Sequence, residues 1–505
     1  MSFSRRSFLK GIAASTAFAS GGCRSFLAGR SARVVAPGQK VRLGVVGAGG
    51  KGVYDWTHLY ADGAEIVAFC DVDSTAVDSS LAKFQELGGD PSKVRRYADW
   101  RKMLEKEERN LDAITVSTPD HMHAAIAVTA MRLGLHCYVQ KPLVRTLWEA
   151  KVFGEVARES GVVTQMGNQG SSGSGHRRNV ELLQQGVIGD ILEVHVWTDR
   201  PIWPQGLQAK AFTRLPGETP PASLDWDGWI GCAEMRPYIG NRPDSYVFGF
   251  RNHYAEKIKG VYHRFNWRAF YDFGTGAFGD MACHTMNLPF RGAELGAVTK
   301  AECKMAVEPN DVAYPVRSIV EVTYAPRESR IRKGHVLPET KVVWYDGDHQ
   351  PPADLMPQVV SLFTRVPLTG CYIIGTEGAM CSTNDYGQEA LVCLKGENRM
   401  RSTTKHPACL AMPTYLPRRK EKGELGQYGE FLDAIKGECP VIAETHSRCY
   451  SDAEHSVPMM EGMLVGCIAQ CVPGALSWAS ANMVFAGSRE ANELVKPYIR
   501  SGWEF

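Results

Sequence analysis

Arg42-Leu43-Gly44-Val45-Val46-Gly47-Ala48-Gly49-Gly50-Lys51-Gly52 is the stretch from which the fold is read. Leu43, Val45 and Val46 make a short apolar run suited to a buried parallel strand, and Gly47-x-Gly49-x-x-Gly52 follows it at once. Such a turn lets backbone N–H groups approach a pyrophosphate, and the helix that it opens offers free donors and a partial positive charge. Glycines alone make only a turn. A second apolar run, residues 65–70, ends at Asp71, about 20 residues further on, where an acidic side chain accepts from a ribose hydroxyl. Strand, glycines, helix and acid in that order read as a dinucleotide site, with Gly47, Gly49, Gly50, Lys51 and Gly52 at the phosphates and Asp71 at the ribose.

Working outward, strands and helices alternate. Helices are expected near 76–87 and 99–108, then a strand ending at Thr118-Pro119-Asp120, a helix capped near Gly134, a strand ending at Gln140-Lys141-Pro142, a helix over 147–160 and a strand leading to Asn168. This alternation implies right-handed crossovers and a parallel sheet whose ligands lie beyond the carboxyl ends of the strands. Gly47, Asp71, Thr118 and Lys141 all fall there. The first domain is therefore set at 41–165, behind a linker at 31–40. Residues 166–505 read as a second α/β domain: a helix and a strand, a region at 200–275 rich in Trp, Tyr, Pro and Gly, and short strands from 298 onward that suit a mostly antiparallel sheet. Helices are expected at 428–435 and 454–471. The aromatic region is too long for an idle loop and too rich in Trp for disorder.

The chain has 505 residues, 57 basic and 55 acidic, so it has no electrostatic footprint for nucleic acid. Ser4-Arg5-Arg6-Ser7-Phe8-Leu9-Lys10 followed by the small-residue segment Gly11 to Ser20 resembles a twin-arginine signal, which assigns residues 1–30 to export by that machinery and the mature protein to the periplasm. Cleavage after Ala17-Phe18-Ala19 or lipid attachment at Cys23 are both open. The scattered cysteines read as buried apolar residues, and Cys467 and Cys471, on one helix face without a histidine, make no zinc site. No metal site is expected.

Three features carry chemistry. Lys141 closes a strand at the cofactor edge, Asp280 and His284 are spaced to share a helix face, and Asn168 sits just past another strand. Oxidising an alcohol requires a base for the hydroxyl proton. Histidine suits that role, with Lys141 polarising the oxygen and Asp280 orienting His284 or binding a hydroxyl. An Asp and a His one turn apart are also compatible with a local surface pair or half a metal site. His121 and His123 complete no metal-ligand pattern, and His123 opens a helix near the nicotinamide position.

These motifs together resemble the Gfo/Idh/MocA oxidoreductase family, the glucose–fructose oxidoreductase and inositol dehydrogenase group. Residues 45–52 are similar to its nucleotide turn, 70–73 to its ribose-binding strand end, 117–127 to its Thr-Pro-Asn-x-x-His segment and 140–143 to its Glu-Lys-Pro motif. Asp280-x-x-x-His284 has the spacing of its catalytic Asp and His. The resemblance implies an N-terminal Rossmann domain and a C-terminal α/β domain with a large open-faced, mostly antiparallel sheet that assembles into a homo-oligomer, a dimer or tetramer. It implies cofactor contacts at Thr118, Pro119, His121, His123, Gln140, Lys141 and Asn168, catalysis by Lys141, His284 and Asp280, and a substrate site that includes Trp203, Trp267, Arg268, Asp280 and His284. Two departures stand out: Gln140 replaces the family's glutamate, and Asp120 stands where asparagine is common.

The expected activity is NAD-dependent oxidation of a sugar, cyclitol or glycoside hydroxyl. NAD is favoured over NADP because Asp71 repels a 2′-phosphate. Free NAD is scarce outside the cytoplasm, so a tightly held cofactor and redox-neutral cycling follow. The alternatives are a glycoside hydrolase or lyase that oxidises its sugar transiently, and a non-catalytic sugar-binding protein.

Overall fold

The computed structural model describes residues 30–242, 259–419, 423–442 and 447–505. Residues 1–29 of the signal segment, Cys23 among them, and residues 243–258 of the aromatic region lie outside them.

The first sheet has six parallel strands: β1 (Arg42–Val46), β2 (Glu65–Cys70), β3 (Arg95–Tyr97), β4 (Ala113–Val116), β5 (His136–Gln140) and β6 (Thr164–Gly167), in the order β3-β2-β1-β4-β5-β6. The order reverses between β1 and β4, which opens a crevice at their carboxyl ends. The central strands are buried on both faces, as their unbroken apolar runs require. Helices α1 (Lys51–Ala61), α2 (Ser74–Glu86), α3 (Trp100–Glu107), α4 (Asp120–Arg132) and α5 (Leu147–Ser160) form the crossovers. Asp73 caps α2 by accepting from the Thr75 N–H, and Thr146 with Glu149 closes a capping box on α5. β3 is three residues at the sheet edge, too short and too exposed to leave a hydrophobic pattern. At the start of the expected linker, residues 31–40, two residues are tied to the domain: the Ala32 N–H donates to Ser160 O and the Arg33 N–H to Gly134 O.

The second sheet has ten strands: β7 (Ile191–Trp197), β8 (Val298–Val307), β9 (Arg317–Tyr324), β12 (Thr340–Tyr345), β13 (Gly370–Gly375), β14 (Gly378–Ser382), β15 (Ala390–Leu394), β16 (Arg401–Ser402), β17 (Ala475–Ala479) and β18 (Val484–Ala486). A separate hairpin, β10 (Arg327–Glu328) and β11 (Val336–Leu337), joins β9 to β12. All pairings in the large sheet are antiparallel except β7 with β12. On its inner face lie the helices Gly276–Thr285 and Ala453–Cys471, with Phe278 stacked on Trp344 at a centroid distance of 4.7 Å.

The outer face divides. Trp197, Val343, Tyr345 and Tyr372 are covered with Met356, Val359 and Val366 from the segment between β12 and β13. Across β8 and β9 the same face carries ions instead, with Lys304 bridging Glu302 and Glu321.

The described part of the aromatic region, residues 200–242 and 259–275, builds its own core. Trp203, Phe212, Trp229, Tyr262, Trp267, Phe270 and Phe273 cluster together, and Trp226 stacks on Trp229 at 4.7 Å. Its order comes from contacts between aromatic rings, which have no helical or strand period, so periodicity could not reveal it.

Candidate functional site

The glycine turn is built by close approach. A Cβ on Gly52 would lie 1.8 Å from Gly47 O, and Gly47 itself has φ +80° with Ser117 O 2.6 Å from where its Cβ would be. Only glycine permits either. The Gly49 N–H donates to Asp71 Oδ2 at 3.0 Å and the Asp73 N–H to Asp71 Oδ1 at 3.0 Å, so the acid at the end of β2 is tied to the turn at the end of β1. Gly50 precedes α1 without a side-chain cap. Lys51 follows, its Nζ lying 3.9 Å from the Tyr54 ring centroid and 3.5 Å from Asp55 Oδ1.

At the neighbouring strand ends, buried polar atoms stand without partners within the protein: Thr118 Oγ1 after β4, and both Oδ1 and Nδ2 of Asn168 after β6. A glycine cradle that a Cβ would fill, an uncapped helix start, an acid at the ribose position and unpartnered donors and acceptors along the same edge fit a dinucleotide. Gly47, Gly49, Gly50, Lys51, Gly52, Asp71, Thr118, Pro119 and Asn168 are positioned to hold it.

Beyond this edge the second domain contributes the helix Gly276–Thr285. Lys141 Nζ donates to Asp280 Oδ1 at 3.0 Å and to Asp280 O at 3.1 Å, and Arg268 Nε donates to Asp280 Oδ1 at 3.1 Å. Burial pushes the Asp280 carboxyl up, but Lys141 and Arg268 overcome it and hold the group at about 2. His284 lies one turn on, buried, with Nδ1 unpartnered. Burial, reinforced by the charge of Lys141, holds its pKa well below the ordinary value, so the imidazole is neutral. Lys141, Asp280, Arg268 and His284 therefore meet at one place: a doubly paired carboxylate, an ammonium with one N–H to spare and an uncharged imidazole.

The other expected residues divide. His123 sits between two segments, with Nδ1 2.8 Å from Pro142 O and Nε2 2.8 Å from Thr118 O; burial lowers its pKa to about 4, so the neutral ring donates its single N–H to one of these carbonyls. His121 turns away: its Nε2 faces the carbonyls of Trp229 and Ile230 at 3.2 Å and its ring packs on Phe273, inside the aromatic core. Gln140 turns inward, its Nε2 donating to both Asp55 oxygens at 2.9 Å. Trp203 and Trp267 are only 4% and 6% exposed, so what they present to the site is Arg268, whose guanidinium lies 4.3 Å from the Trp267 ring centroid.

Of two buried acids at the site, Asp55 escaped the sequence reading, and Asp120 stood out there only as a departure with no role attached. Asp55 lies in α1 and Asp120 at the start of α4, each on a face shared with buried apolar neighbours, which was the available signal. Asp120 Oδ2 accepts from Thr275 Oγ1 at 3.1 Å, while its Oδ1 is unpartnered. Burial and then repulsion from Asp280 push this carboxyl up to about 8.

Residues 41–168 match the Gfo/Idh/MocA family model, described as "Oxidoreductase family, NAD-binding Rossmann fold". The first domain is thus an NAD-binding Rossmann domain. A glycosyl hydrolase family 109 protein of Shewanella pealeana is 28% identical over 156 residues, which cover 30% of this chain and 34% of that protein. A glycosyl hydrolase family 109 protein of Akkermansia muciniphila is 28% identical over 160 residues, 30% of this chain and 33% of its own. The chain thus matches about a third of the length of these curated relatives. Among solved structures, the WlbA dehydrogenase of Bordetella pertussis, in complex with NADH and UDP-GlcNAcA, superposes with a TM-score of 0.53 at 15% identity, covering 87% of this chain and 99% of that one. An inositol dehydrogenase homologue of Azotobacter vinelandii, complexed with NADH and myo-inositol, gives 0.52 at 16% identity, covering 89% and 99%. At these identities the likeness is one of fold.

Proposed function

Residues 41–168 belong to the Gfo/Idh/MocA oxidoreductase family, and from that premise we propose that the protein is an exported, NAD-dependent oxidoreductase of a sugar, cyclitol or glycoside hydroxyl, working on a tightly held cofactor. The observation that carries this reading is the meeting of Lys141, Asp280, Arg268 and neutral His284 beside the nucleotide cradle. Sugar-like ligands in the two neighbouring structures support the substrate class. The twin-arginine motif supports export, and export favours a cofactor loaded beforehand.

When bound, NAD supplies a hydride acceptor for the carbon that bears the hydroxyl. Lys141 keeps one N–H after its two bonds to Asp280, and donates it to the substrate oxygen. That contact strengthens as the oxygen gains negative charge, so it acts mainly in the transition state. His284, uncharged, takes the hydroxyl proton. Asp280 stays ionised and holds Lys141 and Arg268 in place, while Arg268, fixed between Trp267 and Asp280, offers remaining donors to substrate hydroxyls.

A second reading has its own support. The curated relatives carry the name glycosyl hydrolase family 109. Oxidation at one ring carbon acidifies the adjacent C–H, which allows loss of the glycosidic leaving group before the carbonyl is reduced again. The two readings differ in product. Protein purified from the periplasm should release nicotinamide on denaturation. Incubated with free sugars and with aryl glycosides, it should show either net change in bound-NADH absorbance or aglycone release. Protein that carries no nicotinamide and needs large additions of NAD would refute the tightly held cofactor, and absence of both signals across sugars would refute the oxidoreductase.

A further inference from the structure

Between the glycine turn and Lys141 lies a carboxylate that belongs to neither. Asp55 of α1 has no exposed surface, yet it collects donors from four parts of the chain. Gln140 Nε2 donates to both of its oxygens at 2.9 Å, Ser117 Oγ to Oδ2 at 2.8 Å, and the Tyr428 hydroxyl to Oδ1 at 2.9 Å, while Lys51 Nζ lies 3.5 Å from Oδ1. Each donor is next to something functional. Lys51 belongs to the glycine turn, Ser117 precedes Thr118, and Gln140 precedes Lys141. Tyr428 arrives from the helix Gly426–Lys436 of the second domain. Gln140 completes the link, because its Oε1 accepts the Lys141 backbone N–H at 3.2 Å.

Burial pushes the Asp55 carboxyl up while Lys51, Ser117, Tyr428 and Gln140 oppose it, so the arrangement is costly to disturb: each donor left without it would be unpaired in a dry site. The amide at 140 is the complement that Asp55 requires. A glutamate there would set two carboxylates against one another, and one of them would have to take a proton. The departure at Gln140 therefore has a partner in Asp55.

We propose that Asp55, acting through the Gln140 amide, is a positioning residue that couples the nucleotide turn to Lys141. This rests on the reading of Lys141 as a catalytic donor, but its consequence for nucleotide binding does not. Occupation of the turn fixes Lys51 and α1, α1 carries Asp55, and Asp55 holds the strand end from which Lys141 projects.

The test is an exchange of carboxylate and amide between positions 55 and 140 in the full-length protein, with NADH affinity from fluorescence titration, kcat on any sugar that turns over, and melting without cofactor. Gln140→Glu should weaken NADH binding at neutral pH by at least about tenfold, because it sets a second carboxyl against Asp55 and forces one of the two to hold a proton. Asp55→Asn should weaken it by a similar factor. The double variant Asp55→Asn/Gln140→Glu restores one carboxylate facing one amide, and should return to within about threefold of the parent. If the double variant instead shows the product of the two single losses, the residues do not act as a pair and the proposal fails. Should Asp55→Asn not fold, Gln140→Met decides: at an unchanged melting temperature, NADH affinity and kcat that match the parent overturn the proposal, and a loss of about tenfold or more in either supports it. If neither parent nor variant turns over a sugar while the NADH cycle holds, the catalytic reading has failed and what stands is the effect of the Asp55–Gln140 pair on nucleotide binding.

Discussion

Asp120 gives the sharpest test of how charge is arranged around Lys141. Its carboxyl is 1% exposed, has one oxygen without a partner, and faces Thr275, Asp280, Arg268 and Lys141. Burial and the neighbouring Asp280 raise it from the ordinary 3.8 to about 8, so at neutral pH it is a protonated acid. In the unfolded chain it is ionised above about pH 4. Between these two values the folded protein holds a proton that the unfolded chain has released, so stability falls as pH rises. At about 1.4 kcal/mol per unit, the full loss is on the order of 5 kcal/mol by the time pH passes the folded value. Asparagine has nearly the same shape as the protonated acid and cannot ionise. Asp120→Asn should therefore match the parent near pH 4 and exceed it increasingly above, by roughly 1–2 °C in melting temperature per pH unit for a chain of this size that melts as one unit. Thermal melts of both proteins from pH 4.5 to 8, freed of nicotinamide, provide the measurement. A difference that is constant across this range, or that shrinks as pH rises, would mean that Asp120 is ionised in the folded protein and that the reasoning is wrong.

The remaining expectations concern the nucleotide edge and the reacting groups. His284→Ala should lower kcat by about 10²–10⁴-fold with NADH affinity little changed, since the neutral imidazole is assigned to the proton and not to the cofactor; equal turnover in the variant would remove it from the mechanism. Lys141→Met should abolish turnover and cost about 3–5 kcal/mol in a denaturant titration if Arg268 cannot compensate Asp280 alone, and a much smaller cost would show that it can. Gly52→Ala should lose NADH binding in a fluorescence titration, because its Cβ falls 1.8 Å from a backbone oxygen; normal binding would mean that the turn yields. Asp71→Asn should narrow the preference for NADH over NADPH in competition binding, with an unchanged ratio counting against Asp71 as the discriminating charge.

Much of this molecule was legible because the information is local. The turn at Gly47 to Gly52, the acid at Asp71 and the alternation of apolar runs with helices each span fewer residues than one βαβ unit, and each answers to backbone sterics or burial that neighbouring residues decide. They determined the Rossmann domain, its cofactor edge and the place of Lys141, and the spacing of Asp280 and His284 put both on one helix face. Position along a helix does not tell which distant group will face it. Lys141 meets Asp280 across 139 positions and Tyr428 meets Asp55 across 373. Only the packing of the second domain on the first made those pairs, buried Asp55 and Asp120, turned His121 into the aromatic core and drew Gln140 inward. The physical reason is range: turns and periods are set by neighbours in the chain, whereas the charge state and orientation of a buried group are set by what surrounds it after folding.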